Sequence, residues 1–183
     1  MNTESLVSSP IGKLFAKVLA TAMESRFRYR FFGPTNTLEG VDGLEGRAVL
    51  EVGCGTGYFT IPAARIIGDR GSLVAMDIVP ESVEIVSSKV QAAGLQNVRV
   101  VKADGLDTKM DTGSFQTVLL FGVIPAPMVS ISLLLIELHR ILRPEGNLAV
   151  WPPVPGWLPH SILKSGLFIV TGKRNGVYNF RRC

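Results

Sequence analysis

The sequence predicts an α/β fold: a mostly parallel sheet with helices on both faces, closed by an antiparallel hairpin at its C-terminal end. Three observations carry that expectation. A glycine-dense loop, Gly53-Cys54-Gly55-Thr56-Gly57, joins a short apolar run to an amphipathic segment, the pattern of strand, tight turn and helix that opens a parallel unit. Apolar runs of strand length then alternate with segments of helical period. Near the C-terminus, Asn175-Gly176 separates two β-rich runs, a strong hairpin signal.

At 183 residues the chain is read as one domain, 1–183, with an N-terminal segment 1–46 and a sheet core 47–183. Apolar residues make up 46% and charged residues 19%, a balance that argues for a packed core and against disorder. A formal charge of +4 is too small to point to nucleic acid, which is not expected as a partner. The two cysteines, Cys54 and Cys183, supply neither a disulfide framework nor metal-ligand spacing, and no metal is expected. Met1-Asn2-Thr3-Glu4-Ser5 lacks the basic start and apolar core of a secretory leader, so the expected location is cytoplasmic.

In chain order, the apolar spacing of Ile11, Leu14, Phe15, Val18, Leu19, Ala22 and Met23 predicts a helix over 10–23, with Pro10 suited to its first turn. Arginines and aromatics alternate from Arg26 to Phe32, and 33–46 reads as loop. A strand is predicted at 48–52 and a helix at 58–67, stopped by Gly68. A second strand, 73–78, ends on Asp77; Pro80 opens a helix that Gly94 closes. Strands follow at 98–103, before Asp104, and at 115–123, the latter apolar enough to be buried on both faces. A helix over 128–142 is interrupted by Glu137, His139 and Arg140, is too short to span a bilayer, and ends at Pro144 and Gly146. A strand at 147–151, a short helix near 161–165 and the hairpin strands 167–174 and 177–182 complete the series.

The loop sorts the ligand. A dinucleotide site requires G-x-G-x-x-G, and Tyr58 stands where its third glycine would fall. The arrangement Glu51-x-Gly53-x-Gly55-x-Gly57 instead resembles motif I of the class I S-adenosylmethionine (SAM) dependent methyltransferases. Asp77, Asp104-Gly105 and the helix signature Leu138 to Gly146 agree with that family in order and spacing. The resemblance covers 48–152 closely; Gln116, where the family has an aspartate, departs from it without touching the expected site. It implies a Rossmann-like seven-stranded sheet whose last strand inserts between strands five and six. It also implies that SAM is bound and S-adenosylhomocysteine released. The implied cofactor residues are Glu51, Gly53, Cys54, Gly55, Thr56, Gly57, Tyr58, Asp77, Ile78, Asp104, Gly105 and Phe121. Among them Asp77 would take the ribose diol and Asp104 the adenine amino group. An acid at Asp77 would serve NAD as well, so it argues for a nucleoside and leaves the loop to decide which.

Methyl transfer from a sulfonium needs alignment and exclusion of water, with a base required only where the acceptor must lose a proton. The exit of the fourth strand, Phe121 to Pro127, lacks an Asn-Pro-Pro-Tyr type motif and a cysteine nucleophile. Phe121, Ile124, Met128, Trp151, Trp157 and Leu158 are expected to form an apolar lining, so the expected acceptor is a small, apolar molecule. His160 is the candidate base, and His139 is expected to be a packed or surface helix residue. Residues 10–32 are expected to form a lid; a peripheral membrane contact or a homo-oligomer are the other ways to bury their apolar stripe. The competing functions are a non-catalytic SAM-binding subunit and a methyltransferase acting on RNA or protein.

Overall fold

Seven strands form one sheet in the order β3-β2-β1-β4-β5-β7-β6 in a computed structural model, which describes residues 33–124, 129–152 and 159–183. The expected helix 10–23, the Arg/aromatic stretch 26–32 and the lining residues Met128, Trp157 and Leu158 lie outside the described residues. The elements are α1 (Pro34–Leu38), β1 (Ala48–Val52), α2 (Thr60–Ile67), β2 (Ser72–Asp77), α3 (Pro80–Ala92), β3 (Val98–Lys102), β4 (Phe115–Phe121), α4 (Ile131–Ile141), β5 (Leu142–Trp151), α5 (His160–Lys164), β6 (Phe168–Arg174) and β7 (Val177–Arg182).

Strands β1 to β5 pair in parallel, as their near-continuous apolar runs require when helices cover both faces. Strand β7 runs antiparallel between β5 and β6, in the inserted position. Asn175 and Gly176 have φ of 50° and 81°, the positive pair of a two-residue hairpin turn matched to strand twist.

Alternation along each strand divides the core. Leu50, Val52, Met76, Val118, Leu120 and Val150 pack against Leu134, Leu135 and Leu138 of α4 on one face. Val49, Leu73, Leu119 and Ala149 pack against Ala63, Ala64 and Ile67 of α2 on the other, with Leu38 of α1. Glu51 shares the second face with Val49, so the same alternation turns a carboxyl group toward α2.

Residues 33–46, expected to be loop, contain α1, and three of the boundaries that differ from expectation do so for clear local reasons. Strand β4 stops at Phe121 and not at 123, because Gly122 turns at φ 74° while its N–H bonds the carbonyl of Trp151. Helix α4 begins at Ile131, with Ser130 already extended. Strand β5 starts at Leu142, five residues early: Leu142 pairs with Phe115, and a bulge absorbs the exposed Arg143-Pro144-Glu145 before Asn147 pairs with Thr117. Pro144 and Gly146 thus shape a bulge inside a strand.

Candidate active site

In an open parallel sheet the ligand crevice lies beyond the carboxyl ends of the strands, where the strand order reverses. Here that point falls between β1 and β4, since the chain runs outward from β1 to β3 and then returns to β4. The loops leaving β1, β2 and β3 meet there.

Gly53, Gly55 and Gly57 all adopt positive φ, at 74°, 52° and 81°, a region that glycine enters without the steric cost other residues meet. Two of them are also packed. A Cβ on Gly53 would meet Val123 Cγ2 at 2.7 Å, and one on Gly57 would meet Val86 Cγ2 at 3.2 Å. Around Gly55, by contrast, no heavy atom comes within 4 Å of that position, which leaves room for a ligand against the main chain. The N–H groups of Gly53 and Cys54 both bond the carbonyl of Met76 at 2.8 and 2.9 Å, tying the loop to β2.

Asp77 joins the first two loops. Its Oδ2 accepts from the Gly55 N–H at 2.8 Å and its Oδ1 from the Val79 N–H at 2.9 Å. A carboxylate has about four acceptor positions, so the N–H groups of Gly55, Val79 and Ile78 leave it room to accept a further hydroxyl. Burial raises the Asp77 pKa, and the N–H bonds from Val79, Gly55 and Ile78 oppose that rise. This is the contribution that the structure gives Ile78.

Beneath the loop, Glu51 is only 2% exposed and accepts the Thr60 hydroxyl at 2.6 Å. Burial, reinforced by the charge of Asp77, pushes its pKa up to about 8 against the hydroxyl's opposing effect, so the group is mostly protonated at neutral pH. Cys54 is buried, and burial with the neighbouring Glu51 and Asp77 pushes its thiol pKa up, which favours the neutral thiol. Asp104 follows β3 and spends Oδ1 on the N–H of Leu106 at 2.9 Å. Gly105 lies tight against the site wall: a Cβ there would meet Val52 at 3.1 Å and Leu134 at 3.3 Å.

An aromatic cluster closes the β4 and β5 side. Phe59 stands edge-on to Tyr58 and Phe121, each at 4.9 Å between centroids, and to Trp151 at 5.7 Å. Phe121 and Phe59 are each 4% exposed, whereas Tyr58 and Trp151 are half-buried and form the accessible part of the wall. Ile124 is fully buried in the sheet core. His160 opens α5 and is exposed. His139 lies away from the loops, its Nε2 within 3.1 Å of the Cys183 carbonyl and its ring against Phe168. Gln116 is structural, accepting the Ala48 N–H at the far end of β1.

Three contacts were not anticipated from the residues alone: Thr60 on Glu51, Lys89 Nζ on the Thr56 carbonyl at 2.7 Å, and Glu137 on Thr108. None of the three has a signal in sequence; the helical i, i+3 spacing of Glu137 and Arg140 announces only their own ion pair. A cleft of about 770 Å³ lies outside β3, but charges of both signs line it, including Arg99, Lys102, Asp107 and Asp111. It meets the site only at its Asp104 edge and does not suit an apolar acceptor. Among the described residues no cluster of His, Cys, Asp or Glu can hold a metal, and no helix is long and apolar enough to cross a membrane.

The family described as "Methyltransferase domain" matches residues 49–146, more than half of the chain and the whole region of these loops. The chain belongs to the SAM-dependent methyltransferase family. Nocamycin O-methyltransferase of Saccharothrix syringae is 34% identical over 133 residues, covering 68% of this chain and 45% of that protein. A demethylmenaquinone methyltransferase of Listeria welshimeri is 31% identical over 118 residues, covering 62% of this chain and 49% of that protein. The chain thus spans about half the length of these curated relatives. The fold matches a SAM-dependent methyltransferase from Aquifex aeolicus with a TM-score of 0.71 at 22% identity, over 91% of this chain and 97% of that one.

In this member of the family, the loops fit the family's cofactor. Loops 53–58, 77–79 and 103–106 contain no lysine or arginine, which suits a ligand without phosphate, and the carboxylates Asp77 and Asp104 stand at the carboxyl ends of β2 and β3. Open space at Gly55 supplies the close approach to the main chain.

Proposed function

We propose that this methyltransferase transfers a methyl group from SAM to a small, apolar acceptor. The observation that carries the reading is Asp77 holding the β1 and β2 loops together beside the switch point, with open space at Gly55 next to it. When bound, SAM supplies a methyl group on a positively charged sulfur. Asp77 accepts the ribose hydroxyls, Asp104 accepts the adenine amino group, and the backbone of Gly53 to Tyr58 abuts the methionine end. Glu51 acts from below, through Thr60, by holding the start of α2 under the loop.

Half-buried Tyr58 and Trp151, backed by Phe59 and Phe121, give the acceptor an apolar wall and exclude water from the line of transfer. The small acceptors in the relatives' names support that choice. Residues 10–32 are proposed to close the mouth. In support, Asn175 Nδ2 bonds the Asn36 carbonyl at 2.7 Å, and a Cβ on Gly176 would meet the Trp151 ring at 3.3 Å, so the chain at α1 adjoins the hairpin tip beside that wall. His160 remains the proposed base where the acceptor must lose a proton. A single domain over 1–183 and a cytoplasmic location complete the reading; the free cysteines Cys54 and Cys183 suit a reducing compartment.

Calorimetry with SAM, S-adenosylhomocysteine and NAD tests the cofactor: the first two should bind and NAD should not. A methyl-transfer screen against phenols, quinols and small lipids tests the acceptor. Binding without turnover on any acceptor would replace the enzyme with a SAM-binding subunit, and turnover confined to RNA or protein would overturn the small acceptor.

A further inference from the structure

Helix α4 reaches across to the loop that follows β3 and holds it at successive points. Thr108, 1% exposed, donates its backbone N–H at 2.9 Å and its hydroxyl at 2.6 Å to Glu137 Oε1. Arg140, one turn along, clamps the same carboxylate with Nε on Oε2 and Nη2 on Oε1, both at 2.8 Å. Its Nη2 also bonds the Met110 carbonyl at 2.8 Å, its Nη1 the Thr112 hydroxyl at 3.1 Å, and its carbonyl accepts the Gly113 N–H at 3.0 Å. Lys109 sits at φ 58°, a strained conformation for a lysine that persists because Thr108 and Met110 are fixed on either side.

This is more than a surface ion pair. Glu137 is 8% exposed, and its pKa is held down at about 2, first by Arg140 and then by the two Thr108 bonds, so the carboxylate is charged at any working pH. At the other end of the loop, Asp104 and Asp107 form a bridge, Asp104 Oδ1 holds the Leu106 N–H, and Gly105 rests on Leu134 one turn before Glu137. Asp104 is thus anchored from one side by β3 and from the other by a loop whose main polar fixed points are on α4, with Val52 against Gly105 and Arg99 Nη2 on Met110 Sδ as further contacts.

We propose that Glu137 is a positioning residue for cofactor recognition: through Thr108 and Arg140 it holds loop 104–113 so that Asp104 is aimed at the adenine amino group. The inference rests on the SAM reading above and adds to it the residue that sets the base contact.

The test compares S-adenosylhomocysteine with S-inosylhomocysteine, whose base carries an oxo group in place of the amino group. Affinities are measured by calorimetry on the full chain, with hydrogen exchange of 104–113 and 53–58 followed in the ligand-free protein. The wild type should prefer the adenosyl ligand. Glu137→Gln and the milder Thr108→Val, which leaves the Glu137–Arg140 pair intact, should weaken the adenosyl ligand about tenfold and the inosyl ligand less than twofold. Exchange should rise in 104–113 and stay unchanged in 53–58. Equal losses for both ligands in Thr108→Val, or no loss in either, would overturn the proposal. A wild type that binds both ligands equally would overturn it at the Asp104 contact, and a wild type that binds neither would overturn it together with the SAM reading.

Discussion

Glu51→Gln should remove a pH dependence from the stability of this protein. The wild-type carboxyl is buried under the glycine loop, and its pKa is raised from 4.5 to about 8, chiefly by burial. The folded state therefore binds this proton more tightly than the unfolded chain does. Its stabilising contribution is full below pH about 4.5 and declines as pH rises to about 8, beyond which both states are ionised. The difference corresponds to roughly 3–5 kcal/mol across that window, a large share of the stability of a single domain. Glutamine has the shape of the protonated acid and keeps an oxygen for the Thr60 hydroxyl. At pH 5 the variant should lie within about 1 kcal/mol of the wild type, since only a neutral hydrogen bond is altered. At pH 9 it should be the more stable protein, because the wild type must then carry a buried charge beside Asp77. Urea unfolding at half-unit steps from pH 5 to 9 measures both curves. Parallel curves would refute the argument, since they would mean that Glu51 ionises alike in the folded and unfolded states.

Asp77→Asn should weaken SAM about 10- to 150-fold, the equivalent of roughly 1.5–3 kcal/mol for hydrogen bonds to a charged acceptor. It should also lower the melting temperature, because the new amide turns a donor toward either the Gly55 or the Val79 N–H; unchanged SAM affinity by calorimetry would remove Asp77 from the ribose. At matched folding, His160→Ala should cost more methyl-transfer activity than His139→Ala, whose ring packs on Phe168 and meets the Cys183 carbonyl. A loss confined to His139→Ala would reverse that assignment. Proteolysis at Arg26 to Arg30 should slow when SAM or S-adenosylhomocysteine is added, and protection by anionic vesicles alone would replace the proposed lid with a membrane contact.

What the sequence determined by itself was whatever local backbone chemistry dictates. Alternate glycines open positive φ to a tight turn at no steric cost, and apolar runs of period two or 3.6 bury one face or both, so β1, β7, the Gly68 stop and the Asn175-Gly176 turn were legible residue by residue. The motif as a whole also carried the family, and with it the inserted position of β7. Tertiary structure alone decided where a local rule had two outcomes or a partner was distant. Pro144 and Gly146 end a helix by propensity, yet pairing of Leu142 with Phe115 draws them into a strand bulge. Glu51 reads as a charged ligand residue until strand alternation buries it against Thr60, where desolvation outweighs one hydrogen bond and leaves it neutral. Glu137 is in sequence only a charge that interrupts an apolar helix, and Thr108, 29 positions earlier in the chain, is brought to it by the fold. Such contacts join residues apart in sequence, and only the assembled sheet, which fixes the distances between its loops, brings them within hydrogen-bonding reach.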